Sequence, residues 1–86
     1  MAEASVWLMV ALSADRAARL YEAALGAIPT DDDRRRDIEE RRARALVNAG
    51  QCADGALAFL AAAELAAPLE ARDLRREAAE MLVKRG

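Results

Sequence analysis

The 86-residue chain reads as an all-α protein. Three observations carry that reading. Alanine, leucine and arginine number 23, 11 and 12, and with the glutamates these strong helix formers fill most of the sequence. β-Branched residues number only seven, and no stretch alternates apolar and polar residues over a useful length. The four glycines and two prolines fall at isolated points, mostly where turns would separate helices.

Each element follows from its boundaries. An opening helix is expected over Ala2–Leu12. Ser13 or Asp15 can cap a second, running to about Ile28, where Pro29 stops it. Thr30 to Asp33 offer several caps and a negative first turn for a third helix starting near Asp33. That helix should end at Asn48-Ala49-Gly50, with Gly50 in the left-handed conformation that follows many helix ends. A fourth runs from about Ala53 to Ala67. Pro68 suits the first turn of a fifth, which closes at Lys84-Arg85-Gly86. Five helices with short links make one small domain over residues 1–86, with a net stability of roughly 4–13 kcal/mol.

Composition excludes more than it names. There is no histidine, and serine, threonine, cysteine and tyrosine number two, one, one and one. Triads, most zinc sites and a proton shuttle near neutral pH are thereby set aside, so no catalytic residue, metal ligand or cofactor is assigned. One cysteine cannot form an internal disulfide. A net charge of −2 with mixed signs lacks the basic face that nucleic acid needs. The apolar run Ala4–Leu12 is far below the ~20 residues of a membrane helix, and it lacks a signal peptide's basic start. A cytoplasmic protein with neither nucleic acid nor membrane as partner is expected.

The sequence also repeats. An offset of 38 places Leu8 on Leu46, Ala11 on Ala49, Tyr21 on Phe59 and Ala24 on Ala62. A further 36 places Leu46 on Leu82 and Gly50 on Gly86. The pattern Ala17-x3-Tyr21-x2-Ala24-x4-Pro29 resembles the second helix of a tetratricopeptide repeat. Gly55, Phe59, Ala62 and Pro68 form a second copy, preceded by Ala43-x2-Leu46-x3-Gly50, similar to that family's first helix. The resemblance implies a short solenoid of antiparallel helix pairs: repeat one over 1–29, repeat two over 33–67, and a third-repeat helix over 69–85. Ending at Gly86, where another second helix would begin, reads as the edge of a longer array. The stretches Arg16–Leu25 and Leu74–Leu82 are also similar to repeat regions that follow kinase domains in deltaproteobacterial signalling proteins. Small residues at Ala17, Ala24, Gly55 and Ala62 would let paired helices approach, with Tyr21 or Phe59 as the wedge. Glu39 and Arg42 depart from the family, standing where its first helix carries large apolar groups. Leu12 stands where a turn glycine is expected. A plain helical bundle is the alternative architecture.

The conspicuous polar motifs have structural readings. Asp31-Asp32-Asp33 lacks the glycine and closing glutamate of a calcium loop and reads as a capping loop. The arginines from Arg34 to Arg44 interleave with Asp37, Glu39 and Glu40. Pairs Asp31–Arg35, Arg36–Glu40, Asp37–Arg41 and Glu40–Arg44 fall at i,i+4 spacing and would support an exposed helix. Cys52 has no basic sequence neighbour to lower its pKa and reads as a half-buried packing residue.

The remaining signal is for binding. Val6-Trp7-Leu8-Met9-Val10 is apolar on every side of its helix, and such a helix is normally buried all round. A preceding repeat or a second copy of the chain would cover it, and Val6, Trp7 and Val10 are the candidate self-association residues. The tetratricopeptide resemblance implies a groove lined by the first helices of the repeats. Its residues would be Val6, Met9 and Val10, then Asp37, Glu40, Arg44, Val47 and Asn48, then Asp73, Arg76, Glu80, Val83 and Lys84. A protein or peptide partner with an apolar anchor and polar flanks fits such a surface. The expected function is a non-catalytic interaction scaffold. The alternatives are a self-assembling homodimer and a regulatory appendage of a larger signalling enzyme.

Overall fold

A computed structural model describes the backbone of residues 2–85 and the side chains of residue 6 and residues 8–83. The described residues form four helices and no strand: α1 Ala2–Ala27, α2 Arg35–Asn48, α3 Cys52–Leu65 and α4 Pro68–Arg85. The fold is all-α, as the composition implied.

The first two expected helices are one. α1 runs 26 residues without interruption, about 39 Å at 1.5 Å per residue. Nothing at Leu12-Ser13-Ala14 breaks it, because neither glycine nor proline stands there. A break would also strand four N–H and four C=O groups at the new ends with no burial to offset them. The repeated leucines consequently have unlike surroundings: Leu46 is buried, whereas Leu8 and Leu82 are exposed.

The three later helices follow their signals closely. α2 begins at Arg35 rather than Asp33, because the Asp32 carboxylate accepts the Arg34 backbone N–H at 2.8 Å and the chain is still turning. Its end is a Schellman turn. Gly50 has φ +84°; the Gly50 N–H donates to the Val47 carbonyl at 3.0 Å and that of Gln51 to Leu46 at 2.8 Å. Links of three and two residues, 49–51 and 66–67, then force α3 and α4 back antiparallel. Ala66 is extended (φ −95°, ψ 161°) just ahead of Pro68, which opens α4.

Each helix packs on the next in sequence. α3 is the spine, gripped on one side by α2 and on another by α4, so that α2 and α4 run parallel over it. The core is small in volume. Among the described residues, nine of the fourteen buried apolar ones are alanines, and Phe59, at 1% exposed, is the one fully buried large side chain. Close approach replaces bulk: a Cβ built on Gly55 would lie 2.7 Å from Val47 Cγ2 and 3.1 Å from the Ala43 carbonyl oxygen.

α1 lies antiparallel to α2 for only part of its length. Arg35 Nη1 donates to the Leu25 carbonyl at 2.9 Å near one end, and Gln51 Nε2 donates to Asp15 Oδ1 at 3.3 Å at the other. Residues 2–13 therefore project past the end of α2 by roughly 18 Å. Val6, Leu8, Met9, Val10 and Leu12 on this projection are 46–67% exposed. The Cα radius of gyration, 13.6 Å, exceeds the roughly 12 Å of a compact chain of this length for the same reason.

Candidate functional site

The parallel run of α2 and α4 over α3 leaves a groove with unlike ends. At its start Arg36 spans the two helices: Nε donates to Glu70 Oε2 at 2.8 Å, while Nη1 engages Asp37. The bonds to Asp37 and then Glu70 hold the guanidinium pKa above its ordinary value. This strap closes the groove. Farther along, the helices part over a cavity of about 260 Å³ lined by Arg44, Val47, Asn48, Phe59, Glu77 and Met81. Phe59 and Met81 lie buried beneath it, and the Arg44 guanidinium sits 5.4 Å from the Phe59 ring centroid, within cation–π range. Beyond Asn48 the surface continues into an open notch shared by Asn48, Met9, Val10, Ser13 and Ala14.

Five of the expected groove residues are thus brought together, with Asn48 common to both depressions: Arg44, Val47 and Asn48 at the cavity, Met9 and Val10 at the notch. The others are dispersed. Val6 lies out on the projection. Asp37 is exposed and taken up by Arg36, and Glu40 is half-buried. Asp73 and Arg76 pair with each other at 3.2 Å beside Leu69 and Arg72. Glu80 borders a separate shallow surface with Arg76, Ala79 and Val83. The side chains of Trp7 and Lys84 lie outside the described residues.

Three lining residues were not assigned from the sequence. Glu77 stands four residues after Asp73 and three before Glu80, on the same side of α4, so helical spacing could have found it. Met81 and Phe59 needed the knowledge that α3 lies beneath both helices.

The arginine-rich helix uses its charges differently from the i,i+4 scheme. Its ion pairs are Arg36 with Asp37 and Glu70, and Glu39 with Arg42 at 3.7 Å; none of the four expected pairs forms. Glu39 and Arg42 face inward, with side chains 14% and 26% exposed, and Glu39 Oε2 is buried without a hydrogen-bond partner. In the preceding loop Arg34 donates Nε and Nη2 to Asp32 at 3.0 and 2.8 Å. With the backbone bond, that holds the Asp32 carboxyl down at about 2. The loop precedes α2 without capping it as expected: Arg34 holds the N-cap position, no side chain caps the first turn, and Asp37 is the acidic residue there. Cys52 is a half-buried free thiol packed against the core.

No described group of three or more His, Cys, Asp or Glu residues is placed to hold a metal ion, and no described helix is long and apolar enough to cross a membrane. No protein-family model matches the chain, and no curated protein or solved structure proved significantly similar to it.

Proposed function

We propose that the chain is a non-catalytic interaction scaffold of the tetratricopeptide-like kind, which binds a peptide or helix of a partner protein in the groove between α2 and α4. The observation that carries this is the cavity over Phe59. At about 260 Å³ it falls below the ~300–1,000 Å³ of small-molecule pockets, yet it suits one or two anchoring side chains. Its continuity with the notch at Met9 and Val10 gives a second apolar contact for the same ligand. The α2–α3 pair followed by a parallel α4 agrees with a repeat-like arrangement over residues 35–85 alone, since the first expected pair is the single helix α1. Peptide display against the purified chain tests this. Selected peptides should lose binding to Asn48→Trp, which fills the step between cavity and notch. Undiminished binding to that variant would place recognition elsewhere.

Self-assembly through α1 is the second reading, favoured by the exposed apolar side chains of its projection. An isolated helical stretch of about twelve residues is marginal in water without a packing partner. Light scattering on a size-exclusion column would decide it. A dimer abolished by Met9→Asp with Val10→Asp supports it, and a strict monomer at tens of micromolar removes it.

A further inference from the structure

The two rims of the groove carry opposite charge. Arg44 lines the cavity from α2, and Glu77 lines it from α4. Arg41, three residues before Arg44 on the exposed side of α2, extends the positive rim; Glu80, three residues after Glu77, stands at the outer edge of the negative one, where it also borders the shallow surface shared with Arg76, Ala79 and Val83. None of the ion pairs among the described residues involves Arg41, Arg44, Glu77 or Glu80. This differs from the closed end, where Arg36 and Glu70 neutralise each other across the same gap. The two rims therefore present opposite charge to a ligand, with half-buried Val47 between them and Phe59 and Met81 buried beneath.

We propose that the occupant is an amphipathic helix of a partner protein with an apolar ridge flanked by an acidic stripe on one side and a basic stripe on the other. This rests on the groove reading above and adds the charge pattern to it. The acidic stripe would face Arg41 and Arg44, and the basic stripe Glu77 and Glu80. A uniformly acidic helix would meet repulsion at α4, and a uniformly basic one at α2. Electrostatic matching of this kind selects partners more than it adds raw affinity.

The test uses three fluorescein-labelled helical peptides that share one leucine ridge and differ in their flanks: mixed Glu/Lys stripes, all Glu, and all Lys. Fluorescence anisotropy at low salt should give the mixed peptide about tenfold tighter binding than either uniform one, as two modest ion pairs per rim would produce. Glu77→Lys with Glu80→Lys makes both rims basic and should transfer the preference to the all-Glu peptide. Arg41→Glu with Arg44→Glu should transfer it to the all-Lys peptide. Circular dichroism identifies a variant that has failed to fold, and the other swap then serves. Equal affinity of wild type for all three peptides, or a preference unmoved by the swaps, overturns the charge pattern while leaving the groove in place. Absence of binding by any peptide overturns the groove reading with it.

Discussion

Replacing Gly55 by alanine sets two effects of opposite sign against each other. In the middle of a helix the exchange normally gains about 1 kcal/mol, because glycine gives up more backbone freedom on folding. Here the new methyl would sit 2.7 Å from Val47 Cγ2 and 3.1 Å from the Ala43 carbonyl oxygen, whereas carbon atoms prefer about 3.5–4.0 Å. Val47 is β-branched and held to one dominant rotamer in a helix, so it cannot swing aside cheaply. The remaining outlet is to push α2 from α3, and a gap of 0.5–1 Å forfeits a quarter to a half of each dispersion contact across it. Overpacking of this kind costs about 1–3 kcal/mol. After the helix gain, a net loss of up to about 2 kcal/mol remains, or up to roughly 16 °C in Tm for a domain of this size. Urea unfolding followed at 222 nm measures it. Gly26 supplies the control, since a Cβ there meets nothing within 4 Å; in the last turn of α1, Gly26→Ala should gain up to about 0.5 kcal/mol. Adding Val47→Ala to Gly55→Ala should recover at least ~1 kcal/mol in a double-mutant cycle. If Gly55→Ala stabilises as much as Gly26→Ala, the close approach of α2 and α3 is wrong.

Three further outcomes are expected. Phe59→Ala should remove about 3–5 kcal/mol, a large share of the total in so alanine-rich a core; an unfolding midpoint close to wild type would deny Phe59 its place beneath both helices. Glu39→Met combined with Arg42→Leu should raise stability by up to about 1 kcal/mol, because a half-buried pair at 3.7 Å recovers little of its lost hydration and apolar side chains would pack in its place. Arg42→Ala alone should lower it by leaving the Glu39 carboxylate without its cation, and denaturant midpoints distinguish the two. Asp32 is held at about 2, against 3.8 without its partners. A lowered carboxylate stabilises the folded state above the unfolded value near 4, and that contribution fades as pH falls through about 2. A carboxyl-carbon NMR titration should give a midpoint near 2 in wild type, and a clear rise in Arg34→Ala; no rise would discount the Arg34 bonds as the cause.

Local chemistry accounts for most of what could be read from the chain. The Gly50 turn, the Pro68 start and the short links are decided by backbone preferences that act over a few residues. The helix bounds of α2, α3 and α4 were accordingly legible. The continuity of α1 was missed because Ser13 and Asp15 are good caps in isolation, while an alanine-rich helix has no reason to stop where no other helix meets it. The charges of α2 were misassigned for a related reason. Local spacing offered Glu40 to Arg36, but tertiary structure offered Glu70 on a parallel neighbour. Of the candidate site, Arg44, Val47, Asn48, Met9 and Val10 were reached through helical spacing and resemblance. Phe59, Glu77 and Met81 depend on how three helices meet, which no local signal encodes.

The groove is the centre of the account, and its rival is on the opposite surface. Leu57 and Leu60 are exposed on α3 away from α2 and α4, and an apolar ligand could settle there instead. Titrating the 15N-labelled chain with the mixed-charge peptide and mapping amide shifts separates the two directly. Shifts concentrated at residues 44–48 and 77–81, extending to 9–14, are the predicted result. Shifts concentrated around Leu57 and Leu60, with residues 44–48 and 77–81 unmoved, would contradict it.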